Sequence, residues 1–123
     1  MTALAIRTVH HPGYNVLLLS GELDFVSRPD LEWLLDRLHE GGHHRVIVDV
    51  AALTFCDAAG LRLMLVSTQR FFEAGGWFRL RGVCRSVLRL SQILRLHMQV
   101  LADEPLTYVL TDGQGRTAVD PAA

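Results

Sequence analysis

Asp57 stands where an apolar, strand-like run gives way to a helical pattern, and its carboxylate has two candidate uses. General acid–base catalysis needs a partner group, and the sequence offers no base beside it. Capping needs only the free N–H groups of a first helical turn. It is worth ~1 kcal/mol, and the negative charge suits the positive end of the helix dipole. Capping is the simpler reading, and it leaves a carboxylate on a binding surface. The next residues, Ala58, Ala59 and Gly60, make that turn small and open, so another protein can approach its backbone closely.

Other chemically capable residues have plainer explanations. His39 and His43 are spaced i,i+4 with His44 adjacent, which raises a metal site, but Gly41-Gly42 lies between them and ends the helix. A loop cluster is expected, with no metal and no cofactor. Cys56 beside a helix start has the setting of a redox sensor, because a helix N-terminus lowers a thiol's pKa. A free buried cysteine is simpler, and two cysteines, Cys56 and Cys84, are too few for a disulfide framework. Thr54 and Ser67 are possible phosphoacceptors that read more simply as a strand-end hydroxyl and a helix-face residue. Trp33 and Trp77 read as core or partly exposed packing aromatics. No G-x-x-x-x-G-K-[ST] or G-x-G-x-x-G loop occurs. No serine or cysteine has a recognisable catalytic partner, so no enzymatic activity is expected.

Strands and helices must hold Asp57 in place. Val46, Ile47, Val48 and Val50 form a near-continuous β-branched run, as in a strand covered on both faces. Leu61, Met64, Leu65 and Thr68, with Phe71 and Phe72, then recur at helical spacing until Gly75-Gly76. Upstream, Leu4 to Val9 and Val16 to Leu19 read as strands joined by His10-His11-Pro12-Gly13. Ser27 is the expected N-cap of a helix striped by Leu31, Leu34, Leu35 and Leu38, with Asp30 completing an approximate capping box. Downstream, Trp77 to Arg81 alternates as a strand, and Val83, Val87, Leu88 and Leu90 predict a third helix. Val100-Leu101-Ala102 predicts an edge strand, and Asp103 a cap for a last helix carrying Leu106, Val109 and Leu110. The polar stretch from Thr111 to Ala123 is expected to fray. The fold class is α/β: a mixed sheet of four to five strands with about four helices packed mainly on one side.

The chain has 123 residues, half of them apolar, and a formal net charge of −1, as expected of one globular domain. No apolar run approaches the ~20 residues of a membrane span, and Met1 to Arg7 lacks the pattern of a secretory leader. A cytoplasmic location without membrane insertion is expected. Between Ala58 and Ala102 seven arginines face one acid, Glu73. Solvated helix faces explain this most simply, and a surface for an acidic partner is the functional alternative. No reading-helix motif accompanies the arginines, so nucleic acid is not an expected partner.

Three stretches together resemble the STAS family, best known from bacterial anti-sigma factor antagonists. They are Gly21-Glu22-Leu23-Asp24 with Pro29 and Leu31 to Leu35, then Val46 to Val50 through Phe55-Cys56-Asp57-Ala58-Ala59-Gly60-Leu61, then Trp77 to Gly82 leading to Val87-Leu88 and Leu90. The resemblance spans roughly residues 4–110. It implies an anti-sigma factor as partner, often a histidine-kinase-like ATPase that is also a serine kinase. It also implies a D-S-S-G segment in which one serine takes phosphate and so ends the interaction. Here Ala58 and Ala59 occupy the two serine positions, and alanine has no hydroxyl to phosphorylate. The resulting expectation is a transcription-regulating, partner-switching module without the usual serine switch. It would bind through Asp24, Asp57, Ala58, Ala59, Gly60, Leu61 and Arg62. The alternative is a STAS accessory subunit of a bacterial lipid-transport (ABC) complex that docks its ATPase by the same helix.

Overall fold

The computed structural model describes residues 3–101 and 104–111. The chain pairs β1 (Ala5–His11) antiparallel with β2 (Tyr14–Leu23), then runs through α1 (Arg28–Glu40), β3 (Arg45–Cys56), α2 (Ala58–Glu73), β4 (Trp77–Arg81), α3 (Arg85–Ile93), β5 (His97–Leu101) and β6 (Glu104–Thr111). The sheet order is β1-β2-β3-β4-β6-β5. β2, β3 and β4 are mutually parallel, and β6 lies antiparallel to both β4 and β5. The mixed sheet matches the expected class, with six strands and three helices among the described residues.

One sheet face carries the core. In-register residues share a face, so Leu17, Leu19, Val46, Val48, Phe78 and Leu80 point together toward the helices. Leu31, Leu35 and Leu38 from α1, Leu61, Met64 and Phe71 from α2, and Val87 from α3 meet them there. The helices therefore pack on this face, and the other carries the Asp49–Arg81 ion pair (2.9 Å) and Arg79 stacked over Trp77.

Two local expectations are corrected. The segment expected to form a last helix is strand β6. Its apolar residues are too few to impose a helical stripe. Thr107, Tyr108, Val109 and Thr111 favour the extended chain, which has a partner on both sides. Asp103, its expected cap, and the tail from 112 onward lie outside the described residues. The edge strand does form, but it begins at His97. Ser27 takes the N-cap position of α1 without capping it. Its backbone is already helical, and its hydroxyl donates to the Glu22 carbonyl (2.7 Å) while accepting from Asp24 N–H (3.0 Å).

Gly21 explains why β2 bends as it reaches the candidate site. Its φ is +96°, and a Cβ there would lie 2.1 Å from the Ala3 carbonyl oxygen. The β2–β3 register slips on both sides of it, between Leu18 and Ser20 and between Gly21 and Glu22.

Candidate functional site

The parallel strands β2 and β3 end side by side, and their C-terminal ends bring Asp24 and Asp57 to one pole of the molecule. Leu23 pairs with Cys56, and Asp57 N–H donates to the Leu23 carbonyl (3.1 Å). Asp57 has extended backbone and caps α2 as expected, its Oδ1 accepting from Gly60 N–H at 2.7 Å. Gly60 is needed for close approach: a Cβ there would meet Leu23 Cγ and Cδ2 at 2.9 Å and the capping oxygen at 3.2 Å. Asp57→Ala should cost about 1 kcal/mol through the lost cap, measured by urea unfolding. Asp57→Asn keeps an acceptor and should cost less, which separates capping from any use of the charge in binding.

Asp24 organises the loop before α1. Its Oδ1 accepts from Val26 N–H and Ser27 N–H, each at 3.0 Å. The Ser27 N–H bond holds the carboxyl below the ordinary carboxylate value. Partial desolvation opposes this, and the Ser27 hydroxyl and Val26 N–H reinforce it. A carboxylate with a lowered folded pKa stabilises the turn above its unfolded value of about 3.9 and loses that contribution as pH falls through the lower folded value. Acidification should therefore open the 24–28 turn in wild type, seen as faster amide exchange at Val26 and Ser27. In Asp24→Ala those amides should exchange fast at every pH.

The seven expected binding residues divide by burial. Ala59 and Arg62 are exposed, and Asp24, Asp57 and Ala58 are half-buried. Gly60 and Leu61 are buried, Leu61 completely. Leu61, expected among the binding residues, has no exposed surface. Residue 61 belongs to the apolar stripe of α2 and anchors the helix start to the core.

The structure adds residues that composition and periodicity do not mark. Phe25 is 73 % exposed, Val26 58 % and Phe55 51 %, all within two residues of Asp24 or Asp57 in sequence. Phe55 shares strand parity with buried Leu53 and would be read as inward-facing. The register slip beside Gly21 places it opposite Glu22 and leaves it exposed. The only warning in the sequence is an apolar pair, Phe25-Val26, inside a turn. Trp33 on α1 and Val66 on α2 are exposed as well, so Trp33 is a surface residue, with Arg37 over its ring at 5.6 Å. Asp36 and Arg70 bridge α1 to α2 (2.5 Å) one turn beyond Trp33 and Val66. Both helices cross between parallel strands and so run the same way, and this pair ties them together.

Cys56 is a half-buried thiol. Burial first, then Asp57 and Cys84, push its pKa up to about 12, which outweighs the lowering expected from the helix start. Ser67 is buried and donates to the Leu63 carbonyl (2.8 Å), so it presents no hydroxyl to a kinase. Thr54 donates to the Gly21 carbonyl (3.1 Å), the strand-end role expected of it. His39 and His44 meet edge to face at 5.0 Å, and His44 Nε2–H donates to the His39 carbonyl (3.0 Å); His39 lies in the last turn of α1, and only His43 and His44 fall in the expected loop. Of the seven arginines in the basic half, Arg70 and Arg81 are paired with carboxylates and Arg79 covers Trp77. No helix among the described residues is long and apolar enough to cross a membrane.

A mixed sheet with helices on one face, ending in a capped helix start beside a carboxylate turn, defines the class of this chain. The STAS domain model matches residues 5–108, and the chain belongs to that family. It is an anti-sigma factor antagonist-like STAS domain. An anti-sigma-B factor antagonist of Staphylococcus epidermidis is 29 % identical over 93 residues, which cover 76 % of this chain and 86 % of that protein. The fold is shared with an anti-sigma factor antagonist from Mycobacterium paratuberculosis, with a TM-score of 0.62 and 22 % identity over 74 % of this chain and 80 % of that one. It is shared equally with the anti-sigma factor antagonist SpoIIAA in its unphosphorylated form, with a TM-score of 0.62 and 20 % identity over 74 % and 83 % of the two chains.

Proposed function

We propose that this chain is a non-enzymatic binding module that captures an anti-sigma factor and so regulates transcription by partner switching, without a serine switch at the start of α2. The supporting observation is the composition of that pole. An exposed Ala59 and a half-buried Ala58 follow the Asp57 cap, flanked by exposed Phe25, Val26 and Phe55. Phosphate on a serine in this turn would add about −1.5 to −2 charge and considerable bulk beside apolar contacts. Alanine keeps the turn small and neutral, so the surface stays in its binding form when a kinase-like partner docks.

The test is to capture the partner from the native host and incubate it with ATP and either wild type or Ala59→Ser. Capture of an anti-sigma factor, with phosphate on Ala59→Ser and none within residues 57–60 of wild type, is the expected result. Phosphate within 57–60 of the wild-type chain defeats the missing-switch reading. Capture of a transporter ATPase in place of an anti-sigma factor moves the module to a lipid-transport complex.

A further inference from the structure

Five of the six histidines gather at the pole opposite the docking surface, where β1 turns into β2 and α1 turns into β3. A hollow of about 330 Å³ opens there. It is lined by His10 and His11 from the end of β1, Asn15 from the start of β2, His43 and His44 from the α1–β3 connection, and Arg45 from the start of β3. Tyr14 and Gly13 complete the wall, and no carboxylate takes part in it.

His10 Nδ1–H and His44 Nε2–H are engaged with Asn15 Oδ1 and the His39 carbonyl, while Asn15, Arg45 and His43 bring donors that no other side chain among the described residues takes up. Asn15 is only 4 % exposed; its Oδ1 accepts a hydrogen bond from His10 Nδ1–H. Its amide nitrogen has no partner among the described residues, yet it is not sealed from solvent, so it opens into the hollow. Arg45 is exposed and unpaired among the described residues. The His11 ring is held flat on Tyr14, with centroids 4.8 Å apart. No three histidines, cysteines or carboxylates among the described residues gather closely enough to hold one metal ion. The imidazoles stand around a space instead of converging on a point, as suits an oxyanion larger than a bare cation.

We propose that this hollow is a binding site for a tetrahedral oxyanion of the phosphate or sulfate class. The charged and titratable groups packed around it favour this. Besides the lining residues, α1 brings His39, Glu40 and Asp36, α2 brings Arg70, and β4 brings Arg79 over Trp77, whose ring meets Tyr14. Asp36 is committed to Arg70, which leaves Glu40 as the one unpaired carboxylate nearby among the described residues. The site lies at the N-terminal ends of β2 and β3, about 30 Å of strand from Asp57, and does not depend on the proposed function.

The probe is inorganic sulfate. Sulfate is titrated into the full chain while histidine ring resonances are followed by NMR. Saturable shifts are expected at His10, His11, His43 and His44 but not at His97 on β5. Inorganic phosphate should compete at the same rings. The double variant Arg45→Gln, His43→Gln changes two exposed side chains, and it should weaken binding about tenfold or more. Equal shifts at His97, no saturation, or undiminished binding by the double variant would overturn the proposal. So would stoichiometric Zn²⁺ binding at these rings without any sulfate effect.

Discussion

Replacing Phe25 and Phe55 together by alanine should lower affinity for the captured partner about a hundredfold or more while leaving the domain as stable as before. Interface energy concentrates in a few aromatic anchors, each typically costing about 2 kcal/mol or more on truncation, and a tenfold loss corresponds to about 1.4 kcal/mol. Both rings are more than half exposed, so removing them opens no cavity. Surface substitutions of this kind usually change stability by less than about 0.5 kcal/mol. Calorimetric titration against the captured partner, with urea unfolding in parallel, gives both numbers. Unchanged affinity in the double variant would remove this pole from the interface. Trp33→Ala and Val66→Ala test how far the contact extends along α1 and α2; a smaller loss is expected at each, because they lie a turn or more beyond the capped helix start.

Phe71→Ala should have the largest effect on stability. Phe71 is fully buried, and its ring meets His39 at 5.6 Å and Phe78 at 5.8 Å, joining α1, α2 and β4. A buried Phe→Ala change typically costs about 3–5 kcal/mol because a cavity remains where the ring was. Against a total of about 5–15 kcal/mol, that is a large share. Thermal unfolding should fall by roughly 10–20 °C, at about 4 °C or more per kcal/mol. A second readout identifies the cause. Desolvation first, then Arg70 and His44, hold the His39 pKa below its ordinary value. A base with a lowered folded pKa gives its full contribution above the unfolded value of about 6.5 and costs stability as pH falls below it. Water entering the Phe71 cavity should raise the His39 pKa and flatten that acid dependence. A stability loss with His39 unmoved would mean that the gap closes by collapse instead of filling with water.

Much of the architecture was legible from residue types. The Val46–Val50 run, the α2 stripe and the Asp57 cap each rest on local physics: β-branched residues favour a covered strand, apolar residues at helical spacing favour a helix, and a carboxylate satisfies a first turn. The segment from Glu104 to Thr111 was not legible, because a short apolar pattern is compatible with either state until a sheet edge claims it. Phe55 was hidden for a related reason. Its exposure depends on a register slip between two strands, which alternation within one strand does not record.

By itself the sequence determined the alternation of strands and helices, the capped entrance to α2, and the alanines that leave no hydroxyl at positions 58 and 59. These are properties of neighbouring residues. Only the tertiary structure decided that Phe25, Val26 and Phe55 face solvent, and that histidines from two separate stretches share one hollow. Burial and juxtaposition depend on how distant segments pack and register, and no local pattern encodes that.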